Sequence, residues 1–275
     1  MSRSYERITT LDDPRVARYR NLKERTARGE CIFVTEGHFV TQRLLDSPFE
    51  AESVFVYEEH LPIYLERVPP HVPLYVGDRE LMHQIAGIKF HQGVLAAGKR
   101  KPDPKLEDVL PPPEKEGALR LVVCPHITKP ENVGLVFRSA GAFGMDAVIL
   151  GERSCDPFSR RALRVSMGAT MMVPYYRAKR LIDELPDIAR RWRIELVGTI
   201  VDPQAECIVD FAWSERTAVL MGHETDGLDE TWQGVCHRCV TIPMAPEVDS
   251  LNLGVATGVF LYELNRSRLP SQAIE

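Results

Sequence analysis

The stretch Ile242-Pro-Met-Ala-Pro-Glu-Val-Asp-Ser-Leu-Asn252 limits what this chain can fold into more than any other. A β-branched run, Cys239-Val-Thr-Ile242, precedes it and reads as a buried strand. Leu251 to Arg266 follows and reads as one long helix. Pro243 and Pro246 stop either element from continuing through the middle. Asp249 and Ser250 are each suited to cap the helix, because a short side-chain oxygen accepts from its orphan backbone N–H groups. The pattern predicts a strand end, a stiff polar loop, and Ser250 and Asn252 at a helix N-terminus. Open α/β sheets place their ligands at such points. A plain capped helix start satisfies the same residues.

A chain of 275 residues suits about two domains. Its formal net charge of −5 gives no global case for nucleic acid, so a local basic patch would have to carry that role. Residues 1–28 offer one. Arg3, Arg7, Arg15, Arg18, Arg20, Lys23, Arg25 and Arg28 stand against Glu6, Asp12, Asp13 and Glu24, a balance of 8 − 4 = +4. A phosphate-seeking arm and a solvated helix face fit that composition equally. The first residues lack a signal-peptide core and no run reaches membrane-spanning length, so a cytoplasmic protein is expected. The six cysteines are then expected as free thiols. Cys236-His-Arg-Cys239 is half of a zinc pattern, but no second pair stands at ligand spacing, and no metal is expected.

Strands alternate with short helices through the first hundred residues: Cys31–Gly37, Ser53–Tyr57, Pro73–Gly77 and Gly93–Ala97, with Asp78 as a helix cap. This predicts a small α/β domain over 1–100. Prolines and charges without apolar periodicity mark 101–117 as a stiff linker. A second domain, 118–275, opens with the strand Leu119–Cys124. Val133, Val136, Phe137, Ala140 and Phe143 then make one helical face ending at Gly144, and Ala147–Leu150 completes a βαβ unit. The first turn lacks the glycine fingerprint of dinucleotide folds. Asp156-Pro157 reads as a helix cap, and Arg160, Arg161 and Arg164 after it form either a phosphate-binding edge or a solvated face. Further strands are expected at Glu195–Ile200 and Thr217–Met221. Leu251 to Leu264 is apolar on nearly all sides, so it needs cover from its own sheet and from a second subunit.

Three segments together resemble one family. Asn132-x-Gly134-x-x-x-Arg138, Gly222-x-Glu224-x-x-Gly227-Leu228, and Ile242-Pro-Met244 followed by Ser250-Leu-Asn252 are similar in order and spacing to the motifs of SpoU-type RNA 2′-O-ribose methyltransferases, within the SPOUT superfamily. Thr35-Glu-Gly37 and His91-Gln-Gly93 resemble markers of the ribosomal-protein-like RNA-binding domain that often precedes them. One departure is Gly254, where members often carry serine; it is expected to affect helix packing.

The resemblance implies an α/β fold: a parallel sheet with a carboxyl-terminal trefoil knot, preceded by a small α/β RNA-binding domain. It implies S-adenosyl-L-methionine as cofactor, touched by Gly222, Ile242, Met244 and Leu251, and a homodimer through the carboxyl-terminal helix. It places Arg138, Asn132, Ser250, Asn252 and Glu224 in the catalytic set. The substrate would be a ribose 2′-hydroxyl of RNA, ribosomal in preference to transfer RNA. The resemblance gives Arg138 the removal of the hydroxyl proton; because its guanidinium keeps its own proton, it is expected to hold the adjacent phosphate instead, with literal proton abstraction as the alternative. Glu224 is expected to brace two loops by accepting from backbone N–H groups. A non-catalytic RNA-binding or ribosome-assembly protein with a vestigial site, and an α/β enzyme for another nucleotide, are the alternatives.

Overall fold

A computed structural model describes residues 4–22 and 31–266. The chain divides into two compact units, 1–102 with 156–172 and 103–155 with 173–275.

The first unit is a five-stranded mixed sheet. Its strands are β1 (Glu6–Arg7), β2 (Ile32–Glu36), β3 (Ala51–Tyr57), β4 (Leu74–Gly77) and β5 (Val94–Lys99), in the order β1-β4-β3-β5-β2. Helices α1 (His38–Asp46), α2 (Leu61–Arg67) and α3 (Arg79–Ala86) alternate with them. Asp78 caps α3 as expected, accepting from the Leu81 N–H at 2.8 Å. Tyr19, Phe55, Met82 and Leu95 lie in the core. Several basic residues of 1–28 are paired with carboxylates. Arg7 pairs with Glu58, Arg15 with Glu6 and Asp13, and Arg18 with Glu52. Nearby carboxylates thus hold these guanidiniums against the unit. Arg3, Lys23, Arg25 and Arg28 lie outside the described residues.

The second unit begins with a short helix, α4 (Leu106–Val109), inside the stretch read as linker; Leu106 and Leu110 are buried. Then come β6 (Leu119–Cys124), α5 (Pro130–Ala142) and β7 (Ala147–Leu150). Here the chain returns to the first unit for α6 (Arg160–Val165). Asp156 does not cap α6. It is held by Arg100, and Ser159 caps instead, accepting from Ala162. Phe158 packs its ring 5.0 Å from Phe33 and 5.2 Å from Phe49.

The second unit resumes with β8 (Tyr175–Arg177), α7 (Leu181–Trp192), β9 (Glu195–Thr199), β10 (Glu206–Cys207), β11 (Arg216–Leu220), α8 (Glu230–Val235), β12 (Arg238–Thr241) and α9 (Leu253–Asn265). All seven strands pair in parallel, in the order β10-β12-β9-β11-β6-β7-β8. Every residue of β6 and β7 is buried, which suits a parallel sheet covered on both faces. All six cysteines are free thiols. Among the described residues no helix is long and apolar enough to cross a membrane.

The last helix packs on α5. Arg120, 6 % exposed, donates to the Leu264 carbonyl and the Asn265 side chain, tying the end of α9 to β6. Gly254 stands tight against α5: a Cβ there would fall 2.5 Å from Cβ of Leu135. A serine could not be accepted at this position without moving a helix, so the departure is one of packing. Gly254→Ala is expected to lower stability by about 1–3 kcal/mol despite alanine's better helix propensity. Urea unfolding measures this; a variant as stable as the wild type would show that the helices separate freely.

Candidate active site

Three strand ends build the site. β9, β11 and β12 are adjacent, parallel, and stop at Thr199, Leu220 and Thr241. The turns that follow converge beyond their carboxyl ends, as in open α/β sheets. Between them lies a cavity of about 560 Å³, lined by Thr199, Asp202, Gly222, Glu224, Ser250 and Leu251 among others.

The turn after β11 closes on itself. His223 and Gly227 exchange backbone hydrogen bonds of 2.8 and 3.0 Å. Gly227 takes φ +67°, and Gly222 lies so near it that a Cβ would sit 2.4 Å from the Gly227 carbonyl carbon. This turn presents Glu224, whose side chain is 3 % exposed. Its carboxylate accepts from the Lys129 N–H at 2.8 Å, the Thr128 N–H at 3.1 Å, the Thr128 hydroxyl at 3.1 Å and Asn132 Nδ2 at 3.2 Å. Burial alone would raise its pKa. The donors from Lys129, Thr128 and Asn132 outweigh burial and hold it below the ordinary value. Glu224 therefore stays ionised, bracing the turn against the start of α5.

The network continues. Asn132, 3 % exposed, accepts through Oδ1 from Asn252 Nδ2 at 3.2 Å. Asn252 caps α9, accepting from the Gly254 N–H at 2.9 Å. One hydrogen-bonded line thus joins Glu224, Asn132 and Asn252, one residue from each of the three sequence segments. Neither Asp249 nor Ser250 caps the helix, which starts two residues later than the sequence suggested. Both are exposed and line the cavity.

Other expected site residues lie elsewhere. Ile242 and Met244 are half-buried and stand outside the cavity lining, because the chain leaves β12 at Thr241 and runs outward through exposed Ala245 to Asp249. Arg138 is six residues beyond Asn132 on α5, about 9 Å along its axis. It is exposed and does not line the cavity; among the described residues it has no hydrogen-bond or ion-pair partner. Two histidines escaped the sequence reading. His126 and His223 stack with ring centroids 5.0 Å apart. Burial, then His223 and Arg153, hold the pKa of His126 below its ordinary value. His223 lies inside the second quoted segment and His126 six residues ahead of the first, but only folding brings the rings together.

The lining carries Asp202, Glu224, Asp226 and Asp249 and, among the described residues, no lysine or arginine. Such a surface attracts a cation and repels a pyrophosphate. S-adenosylmethionine carries a sulfonium and an ammonium, and the residues present fit it: the cavity has ligand-pocket dimensions, and the bare Gly222 Cα keeps the turn tight against it. The same acids weigh against a dinucleotide.

Comparison with known proteins gives a consistent picture. The model of the SpoU rRNA Methylase family matches residues 120–262. An uncharacterized tRNA/rRNA methyltransferase of Mycobacterium bovis is 33 % identical over 267 residues, covering 93 % of this chain and 90 % of the relative. The 23S rRNA (guanosine-2′-O-)-methyltransferase RlmB of Haemophilus influenzae is 32 % identical over 242 residues, covering 85 % of this chain and 97 % of the relative. A crystal structure of an RNA 2′-O ribose methyltransferase superposes with a TM-score of 0.77 at 28 % identity, covering 96 % of this chain and all of that one (100 %).

Proposed function

The chain belongs to the SpoU rRNA methylase family, and we propose that it methylates a ribose 2′-hydroxyl of RNA, ribosomal RNA in preference to transfer RNA, using S-adenosylmethionine. The observation that carries this reading is the bonded line Glu224–Asn132–Asn252 beside an acid-lined cavity.

S-adenosylmethionine, when bound, supplies an electrophilic methyl group. The chain's own residues supply position and field. Gly222, Leu251 and the backbone of the turn after β11 hold the donor, with Ile242 and Met244 backing the loop from outside the lining. Asp202 and Asp249 favour its positive charge. Ser250 and Asn252 orient the nucleotide or the donor's carboxylate. Arg138, exposed and unengaged among the described residues, grips the phosphate beside the reacting ribose and stabilises the developing alkoxide. The hydroxyl proton would leave to solvent as the oxygen–carbon bond forms and the methyl–sulfur bond breaks, with a neutral thioether as leaving group. A guanidinium keeps its proton far above neutral pH and is a poor source of a free base, so the phosphate role is preferred for Arg138.

Three further features belong to the reading. The carboxyl-terminal segment forms a trefoil knot. In support, β12 is separated from β6 by β9 and β11, about 14 Å at ordinary strand spacing, yet α9 packs on α5 beside β6. The loop 242–252 therefore crosses the ends of two strands whose own turns stand there. The protein forms a homodimer through α9. Val255, Val259 and Tyr262 are 54, 36 and 46 % exposed, a stripe at helical spacing left without cover. Residues 1–100, the larger part of the first unit, hold RNA, residues 101–117 connect, and 118–275 is catalytic, in a cytoplasmic protein.

Calorimetric titration with S-adenosylmethionine, followed by transfer of labelled methyl to ribosomal RNA, tests the function. Saturable binding and 2′-O-methylated product are expected. Arg138→Lys should keep cofactor affinity and lose about tenfold in turnover, through loss of the bidentate phosphate grip. A protein that folds but binds no S-adenosylmethionine would be the RNA-binding scaffold instead.

A further inference from the structure

The first unit carries a surface that the methyl-transfer site does not use. Phe39, in the first turn of α1, is 71 % exposed, the most exposed of the large hydrophobic side chains described. Arg43 lies one helical turn further, on the same face. Its guanidinium donates to the Met167 carbonyl at 2.6 Å, and its stem lies over Gly168, where a Cβ would come 3.1 Å from Arg43 Cδ. This brings the end of α6 against α1. Arg160 and Arg164 of α6 both reach Glu36, whose side chain is 7 % exposed and which ends β2 just before α1. Arg164 remains 49 % exposed while doing so.

Charge and shape agree here. Arg160 and Arg164 reach one buried carboxylate, Glu36, with Arg43 and Asp46 nearby on α1, a balance of 3 − 2 = +1 on a chain of net charge −5. Asp46 on α1 is already bound by Gln42 at 3.0 Å. Gly37, at φ +97°, lets the chain turn sharply into α1, and Gln92 packs over it so that a Cβ would fall 1.9 Å from Gln92 Oε1. The base of Phe39 is thereby fixed while its ring is bare. An aromatic face beside guanidiniums is what unpaired nucleotides require: the ring stacks a base, and spare N–H donors take the flanking phosphates.

We propose that Phe39 and Arg43 on α1, together with Arg164 on α6, bind a single-stranded stretch of the RNA substrate, with one unpaired base stacked on Phe39. The choice of RNA rests on the function proposed above. Glu36 is the positioning residue that holds Arg160 and Arg164 of α6 beside α1.

The test uses the full chain and two fluorescein-labelled probes, a 12-nucleotide oligoadenylate and a duplex of equal length, read by fluorescence anisotropy across a salt series. Phe39→Ala is expected to weaken single-strand binding by roughly 5- to 100-fold and to change duplex binding less than about twofold. Phe39→Trp should restore binding, and its emission should be quenched by the oligoadenylate. Arg43→Ala with Arg164→Ala should reduce the salt slope by about 1–2. Wild-type affinity for Phe39→Ala, equal loss on both probes, or unchanged Trp emission overturns the proposal. S-adenosylmethionine titration of the same proteins separates the two readings. If cofactor binds and Phe39→Ala is silent, only the surface fails. If no cofactor binds while Phe39→Ala still weakens the single strand, only the enzyme reading fails.

Discussion

Gly222→Ala is expected to abolish measurable S-adenosylmethionine binding, a loss of at least about 100-fold or roughly 3 kcal/mol. The added Cβ would stand 2.4 Å from the Gly227 carbonyl carbon and 2.6 Å from the Leu228 nitrogen. Both are backbone atoms, so no rotamer change relieves the contact. The turn itself must move, yet it is closed by the paired backbone bonds of His223 and Gly227 and tied through Glu224 to Thr128, Lys129 and Asn132. Displacing it opens the cavity wall and breaks the brace together. Gly227→Ala is the control. Gly227 has φ +67° but nothing within 4 Å of a Cβ, so its cost is the left-handed backbone alone, about 1–2 kcal/mol. Calorimetry on the two variants should separate them widely. Equal affinities would mean that the turn after β11 does not shape the cofactor site.

The strands were legible in the sequence because parallel strands buried on both faces leave unbroken apolar runs. Leu119–Cys124 and Ala147–Leu150 appear in the fold with the bounds their residues suggested. Caps were less legible, since local chemistry offers several equal candidates. Asp249, Ser250 and Asn252 can each accept from a first-turn N–H. Asn252 prevails where its amide also reaches Asn132 and where Leu253, 8 % exposed, can be buried. Asp156 was read as a cap for the same reason, but its carboxylate is shared between the Phe158 N–H, at 2.9 Å, and Arg100, and α6 starts only after Ser159.

The excursion of 156–172 into the first unit had no local signature at all. Arg160 and Arg164 look like a solvated face until Glu36, more than a hundred positions earlier, is placed beneath them. Glu224 is the opposite case. Its bracing role was legible because a glutamate between two turn glycines at a strand end has backbone N–H groups as its natural partners. Which N–H groups these are depends on the sheet order. That order sets β6, and hence Thr128 and Lys129, directly beside β11.

Glu224→Gln is expected to cost about 3 kcal/mol of stability near neutral pH and to weaken S-adenosylmethionine binding with it, because charge-assisted hydrogen bonds to a buried carboxylate are lost. Glutamine keeps the shape but replaces one acceptor oxygen with a donor. That donor would face the Lys129 or Thr128 N–H groups, which would then be left unsatisfied. The effect should depend on pH in one direction only. The folded protein holds Glu224 below its ordinary value of 4.5, so on acidification the unfolded chain takes up the proton first. The carboxylate's contribution is therefore complete above that ordinary value and is lost as pH falls through the lowered native one. The Gln variant has no proton to take up at this position. The gap between wild type and variant, measured by urea unfolding from pH 7 downward, should stay constant to about pH 5 and then narrow. A gap that is absent at pH 7, or unchanged through the acid range, would show that the carboxylate does not hold the turn to the start of α5, and the bonded line from Glu224 to Asn252 would lose its anchor.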